Sequence, residues 1–345
     1  MMKPESKIIV LTLGDINGIG PEVTLKALAH WQPPPTVRLA LLGPLSALRF
    51  WESRLGQKQR IPVISSINDW QTPARVALVQ AEFGEPAITP GNWSKASGAA
   101  AAQALLHATE WAKQGMAQAI VTGPTAKVAL AAAGFNYPGQ TEFIAERLGA
   151  TTFAMMLLAG KMRVALVTTH LPLRQVAAAV TSEKILAKLR VLQRDLQQRF
   201  GIATPRIAVT GLNPHAGESG LLGDEEEEQI KPAIAQAQEE GIAASGPYPA
   251  DALFGRHANR DSMAESGEAL SVDAFLAMYH DQGLIPLKMQ GFGRAVNYTA
   301  GLPVIRTSPD HGTAFDIAGR GIASPTSMIE ALQLAVDLIT ARGGS

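Results

Sequence analysis

Four of the seven histidines follow apolar runs directly: His170 in VTTHLPLR, His215 in GLNPHAGESG, His280 in AMYHDQG and His311 in RTSPDHGTAFD. A neutral imidazole can ligate a divalent cation, and its charge changes near neutral pH. Three imidazoles leave coordination positions open for a substrate oxygen or water. Histidines gathered from distant strand ends can share one ion without any local H-x-x-x-H spacing. One strand-end histidine is ordinarily just a hydrogen-bonding group; several, each beside Asp, Asn or Glu, point to a site. Asp281, next to His280, and Asp251 in PYPADALF can orient an imidazole or ligate in their own right. Asp251 reads equally well as a helix N-cap before ALF. His30, His107 and His257 lie in helical or loop contexts and carry no such signal.

A second group is cationic: Lys288, Arg294, Asn297 and Arg306 within IPLKMQGFGRAVNYTAGLPVIRTS. Lys, Arg and an amide donor suit a phosphate or carboxylate, which Arg grips bidentately. Gly291, Gly293 and Gly301 allow close backbone approach to a ligand. Solvated surface charge is the alternative for this group. The N-terminal GDINGIGPEV is glycine-punctuated, but Gly14, Gly18 and Gly20 do not have the spacing of a dinucleotide fingerprint.

Something must position these residues. Strands are predicted at 7–14, 37–43, 75–80, 117–123, 153–160, 162–169, 206–213 and 272–280. Their nearly continuous apolar runs suit strands covered on both faces. Helices are predicted at Pro21–His30, Ser94–Gln114, Ser182–Phe200, Glu225–Glu239 and Ser327–Ala341. Pro21 followed by Glu22 is a good helix start. The alternation is that of an α/β protein, in which ligands bind beyond the carboxyl ends of strands. GDEEEE (223–228) reads as a solvated helix start, and GRHANRDSMAESGEALS (255–271) as a mobile surface loop.

The 345 residues, 46% hydrophobic and 17% charged, suffice for two domains. Lys plus Arg equals Asp plus Glu at 30 each, so no broad basic field for nucleic acid is expected. The absence of cysteine excludes disulfides and thiolate metal sites, and the expected compartment is the cytoplasm. The N-terminal stretch has no signal-peptide core, and no apolar run suits a membrane span.

In order, the segments GDINGIGPEV, VTGPTAK, GQTEFIAE, TTHLPLRQV, GLNPHAGESGLLGDEE, GPYPADALF, AMYHDQGLIPLK and GFGRAVNYTAGLPVIRTSPDHGTAFDIAG resemble one family. It is the 4-hydroxythreonine-4-phosphate dehydrogenases of pyridoxal phosphate biosynthesis. The resemblance covers nearly the whole chain. It implies an isocitrate/isopropylmalate dehydrogenase-like fold, with two α/β/α domains flanking a cleft. One domain would comprise 1–130 with 296–345, and the other 131–295. His311, Gly312 and Thr313, in a loop similar to the HGSAPDIAG type, would bind the cofactor: NAD, or NADP. By the same resemblance His170, His215 and His280 are the ligands of a divalent metal: Zn, Co, Mn or Mg. Gln140, Thr141, Lys288, Asn297 and Arg306 match positions that bind a phosphorylated substrate. Asp251 and Asp281 match catalytic acidic positions. A homodimer sharing the metal site across its interface is implied.

The implied reaction oxidises 4-phosphooxy-L-threonine at C3 and then decarboxylates it to 3-amino-2-oxopropyl phosphate. There are departures from the family pattern. Gln140 stands in GQTE where GHTE is usual, GDINGIG replaces GDPAGIG, and the stretch between Asp251 and His280 is about ten residues longer than usual in the family it resembles. They keep open a paralogue that oxidises another hydroxy acid, such as 4-phosphothreonate or a cis-dihydrodiol carboxylate. A non-enzymatic alternative is a sensor that binds a phosphorylated metabolite. Intact metal histidines argue against the sensor, which would not need all three.

Overall fold

A computed structural model describes residues 6–57, 60–68, 70–259 and 271–341. The chain forms two compact units, residues 1–151 with 302–345, and residues 152–301. The sequence reading set the joins near 130 and 296. Chain order in the first unit is β1 (Lys7–Thr12), α1 (Gly20–His30), β2 (Val37–Leu42), α2 (Leu45–Arg54), β3 (Val63–Ile64), β4 (Val76–Val79), α3 (Lys95–Lys113), β5 (Ala119–Thr122), α4 (Lys127–Ala132) and α5 (Gln140–Arg147). The second unit follows with β6 (Ala154–Ala159), β7 (Met162–Leu166), α6 (Val176–Ala179), α7 (Ser182–Gln198), β8 (Ile207–Thr210), α8 (Lys231–Glu239), β9 (Ala244–Tyr248), α9 (Ala250–Ala258), β10 (Ala274–Ala277), α10 (His280–Gly291) and β11 (Val296–Ala300). The chain then returns to the first unit with β12 (Ile305–Pro309) and α11 (Thr326–Ala341).

In the first unit the strand order is β3-β4-β2-β1-β5-β12, every pair parallel. In the second it is β11-β6-β7-β10-β8-β9. There β11, β6 and β7 pair antiparallel, while β7, β10, β8 and β9 run parallel. This is the α/β class read from the sequence. The apolar strands bury both faces, as in Ile9–Leu11 and Ala274–Ala277, all at 1% exposure or less. One core of the first unit packs Val10, Ala40, Leu42, Ile120, Ala104 and Ala108 together. One core of the second packs Val164, Leu166, Phe275 and Ala277 against Leu284 and Leu287 of α10.

All eight predicted strands are present in shortened form. Three readings need correction. The strand drawn through 272–280 ends at Ala277, and His280 opens α10. Residues 255–258 belong to helix α9 rather than to a loop, and 260–270 lie outside the described residues. Asp251 does not cap a helix: Pro249 holds that position and Asp251 sits in the first turn of α9.

Two helical glycines give predictions of opposite sign. A Cβ on Gly98 of α3 would lie 2.0 Å from the Ala129 carbonyl oxygen of α4, whereas one on Gly255 of α9 would meet nothing within 4 Å. Alanine gains about 1 kcal/mol of helix propensity over glycine. A backbone overlap that deep exceeds the ~1–3 kcal/mol of ordinary overpacking. Gly98→Ala should therefore lower the urea midpoint and Gly255→Ala should leave it unchanged or raise it. Equal shifts in one direction would contradict the close α3–α4 packing.

Candidate active site

In the second unit, three adjacent parallel strands each run out toward one histidine. His170 follows β7, His280 follows β10 and His215 follows β8. Strands in a sheet lie about 4.8 Å apart, so this topology gathers the three segments at one edge. Hydrogen bonds then stitch the exits together. Thr168 Oγ1 donates to the Met278 carbonyl at 2.7 Å. Gln282 Oε1 accepts from Met278 N and from Thr210 Oγ1, each at 2.7 Å, while its Nε2 donates to the Gly211 carbonyl at 2.7 Å. Gln282 thus locks the β10 exit to the β8 exit. The sequence showed it as one more polar residue of MYHDQG, without this role.

The His170 and His280 rings lie 5.9 Å apart between centroids. His280 Nδ1 is 2.7 Å from Asp281 Oδ1. A carboxylate there accepts the Nδ1 proton and leaves the Nε2 lone pair available, the arrangement that a metal-binding imidazole needs. His215 and Asp281 line one cavity of about 520 Å³ together with Asp251, Tyr279 and Gln282. A second cavity, also about 520 Å³, is lined by His280, Asp281 and Lys288 with Ile285, Met289 and Phe292. Asp281 belongs to both walls. The donor set suits a divalent cation, but the three imidazoles do not close on one point. Among the described residues no three His, Asp or Glu side chains of one chain form a group able to hold an ion.

The segment that carries His215 has an unusual backbone. His215, Ala216, Gly217, Glu218 and Ser219 all have left-handed φ, from +45° to +80°. Four of them are not glycine, and each costs roughly 1 kcal/mol or more in that region. The strain is held by Glu226, 1% exposed. Its Oε1 accepts from Leu212 N and Asn213 N at 2.7 Å each, and its Oε2 from Asn213 Nδ2 at 2.9 Å. The GDEEEE run is therefore not simply a solvated helix start: Glu227 and Glu228 are exposed, while Glu226 is a buried framework carboxylate. No periodicity marked it, because the run looks uniformly polar.

In the first unit the same edge logic holds for β1, β5 and β12. Arg306 on β12 is 4% exposed and donates through Nη2 to Thr122 Oγ1 at 2.8 Å and through Nη1 to Thr141 Oγ1 at 3.4 Å. Burial pushes its pKa down to about 10 and Glu142 opposes the shift, so it remains cationic at neutral pH. Thr141 sits in the first turn of α5, where the helix dipole also favours an anion. Gln140 Nε2 donates to the Gly123 carbonyl at 3.2 Å and to Thr125 Oγ1 at 2.7 Å. Because a carbonyl only accepts, this fixes the amide orientation; Oε1 is buried and has no hydrogen-bond partner.

Gly18 and Thr313 are in backbone contact: Ile19 N donates to the Thr313 carbonyl at 2.9 Å, and a Cβ on Gly18 would stand 2.9 Å from Thr313. The glycines of GDINGIG thus serve loop packing. His311 Nδ1 lies 3.1 Å from the Gly312 carbonyl, and its Nε2 is buried without a partner. Asp15 is fully buried between Asn17 N and Ser97 Oγ; burial raises its pKa and those two hydrogen bonds pull it back. Asn17 holds Thr89 and Asn92 through its side chain. Thr122, Asp15 and Asn17 were not anticipated from the sequence. The structure joins Thr141 to Arg306 and His170 to His280. Lys288 and Asn297 belong to the other unit, and the Asn297 Oδ1 is buried without a partner.

Comparison with known proteins defines the class first: this is a dehydrogenase acting on a CH–OH group. The chain belongs to the family described as pyridoxal phosphate biosynthetic protein PdxA, whose model matches residues 45–335. A 4-hydroxythreonine-4-phosphate dehydrogenase of Sulfurihydrogenibium sp. (strain YO3AOP1) is 40% identical over 328 residues, covering 95% of this chain and 97% of that protein. The crystal structure of a 4-hydroxythreonine-4-phosphate dehydrogenase from Klebsiella pneumoniae superposes with a TM-score of 0.82 at 38% identity, covering 96% of this chain and 99% of that one. A terephthalate 1,2-cis-dihydrodiol dehydrogenase from Burkholderia xenovorans LB400 gives 0.62 at 29% identity, covering 96% and 98%. Among the described residues, no helix is long and apolar enough to cross a membrane.

Proposed function

We propose that the chain oxidises 4-phosphooxy-L-threonine at C3 with NAD, in the presence of a divalent metal, and that the β-keto acid then loses CO2 to give 3-amino-2-oxopropyl phosphate. The observation that carries this reading is the His280–Asp281 pair at the edge where three parallel strands deliver three histidines. His170, His215 and His280 would hold the ion, which when bound supplies Lewis-acid polarisation of the C3 oxygen. Arg306 and Thr141 would hold the phosphate at the start of α5, with Lys288 and Asn297 serving the same substrate. Asp251 and Asp281, which line one cavity, would take the hydroxyl proton. His311, Gly312 and Thr313 would seat the nucleotide, and the buried unpartnered His311 Nε2 supports that fit. The nucleotide held there would supply the hydride acceptor.

A homodimer sharing the metal site belongs to the same proposal. Ile285 and Met289 on α10 are 58% and 83% exposed at helical spacing, and Phe292, just past the helix end, is 87% exposed; all three line one cavity with His280. Such a stripe suits burial against a second copy, whose residues would complete the ligand set.

Gln140 favours a second reading, oxidation of a different hydroxy acid. Its neutral amide cannot carry the charge of an imidazole. The test is NADH formation on 4-phosphooxy-L-threonine, 4-phosphothreonate and a cis-dihydrodiol carboxylate, with wild type and Gln140→His compared between about pH 6 and 8. The expected result is turnover of the phosphorylated amino acid, with KM flatter across that range in wild type than in the variant. Preference for another acid, lost in Gln140→His, would support the second reading. Tight binding without turnover of any substrate would mean a sensor.

A further inference from the structure

We infer that Glu226 is a positioning residue for His215, a role that rests on the metal-site reading above. Left-handed backbone over five residues does not persist without something to hold it. Here the holding group is one buried carboxylate. It gathers the N–H groups of Leu212 and Asn213 immediately before the turn, and it also fixes the Asn213 side chain, which Glu225 Oε2 accepts from at 2.6 Å on the other side.

The turn is built around that carboxylate. A Cβ on Gly217 would fall 2.7 Å from Glu226 Oε2, and one on Gly211 would fall 3.0 Å from Oε1. Both glycines therefore make room for the same side chain. Glu226 also begins a π-helical turn, Glu226–Ile230, a local widening frequent at functional sites. Removing the negative charge leaves buried N–H donors poorly matched and releases the turn, so His215 loses its fixed direction while His170 and His280, tied through Thr168 and Gln282, do not.

The test compares Glu226→Gln and Glu226→Ala with the exposed control Glu228→Gln. Metal-stripped protein is titrated with Co2+ by visible absorption, ring signals of 13C-labelled histidine are recorded, and thermal unfolding checks the fold. For Glu226→Gln we expect Co2+ affinity about 10–100-fold weaker with an altered spectrum, the loss typical of an outer-shell change. The His215 ring signal should shift or split, those of His170 and His280 should hold, and Glu228→Gln should match wild type. A single unshifted His215 signal with unchanged Co2+ affinity in both Glu226 variants would overturn the inference. Global unfolding of both would also overturn it, by making Glu226 a folding residue. If wild type binds no Co2+, the metal reading fails, yet the His215 signal still decides whether Glu226 positions that ring.

Discussion

His280→Ala should lose divalent-metal binding and, with it, NADH formation. His280 is the imidazole with a carboxylate on Nδ1, and its ring lies nearest to a second histidine. Changing a group that only orients a ligand costs about 10–100-fold in metal affinity, so deleting the ligand should cost more. Asp281→Asn supplies the graded comparison. The amide can still accept from Nδ1 but carries no charge, so its loss should fall within that range. Metal content measured after dialysis, together with Co2+ titration, reads both variants. A His280→Ala protein with full activity and a full complement of metal would remove His280 from the site.

Arg306→Ala should lower kcat/KM for a phosphorylated substrate by about 30–1,000-fold, that is ~2–4 kcal/mol, because the lost contact is charge-assisted and desolvated. Arg306 is buried against Thr122 and Thr141, so its charge has little water to satisfy it and gains from an incoming anion. The loss should be much smaller for the dephosphorylated analogue. Arg306→Lys keeps the charge without the planar fork and should fall between. Unfolding midpoints separate a binding defect from a packing defect. Equal losses on both substrates would mean that Arg306 does not read the phosphate.

The parts of this arrangement that depend on local pattern were legible in the chain. Continuous apolar runs announced the central strands, and His170, His215 and His280 stood out because each interrupts the end of such a run. Strands β11 and β12 were not read as such. Their sequences, VNYTA and IRTSP, mix polar residues into a sheet interior, and one of those residues, Arg306, is a proposed substrate contact. His280 was placed at the end of a strand because nothing local distinguishes a strand end from a helix start when the cap is Tyr279, which makes no side-chain cap bond. Glu226 and Gln282 were invisible as framework residues for a different reason. Thr210 and Gly211 become neighbours of Gln282 only once β8 and β10 lie side by side, and Leu212 and Asn213 meet Glu226 only once the 214–220 turn folds the chain back on the exit of β8. Buried polar residues of this kind are set by tertiary pairing, and hydropathy reads them as surface.

One measurement bears on the whole account: NADH formation from 4-phosphooxy-L-threonine and NAD by the wild-type protein, after chelation and again after a divalent metal is restored. Turnover should fall to background on chelation and return with metal, with one CO2 released per NADH. Undiminished NADH formation in stripped protein confirmed free of metal, or no NADH from this substrate in metal-loaded protein, would contradict it.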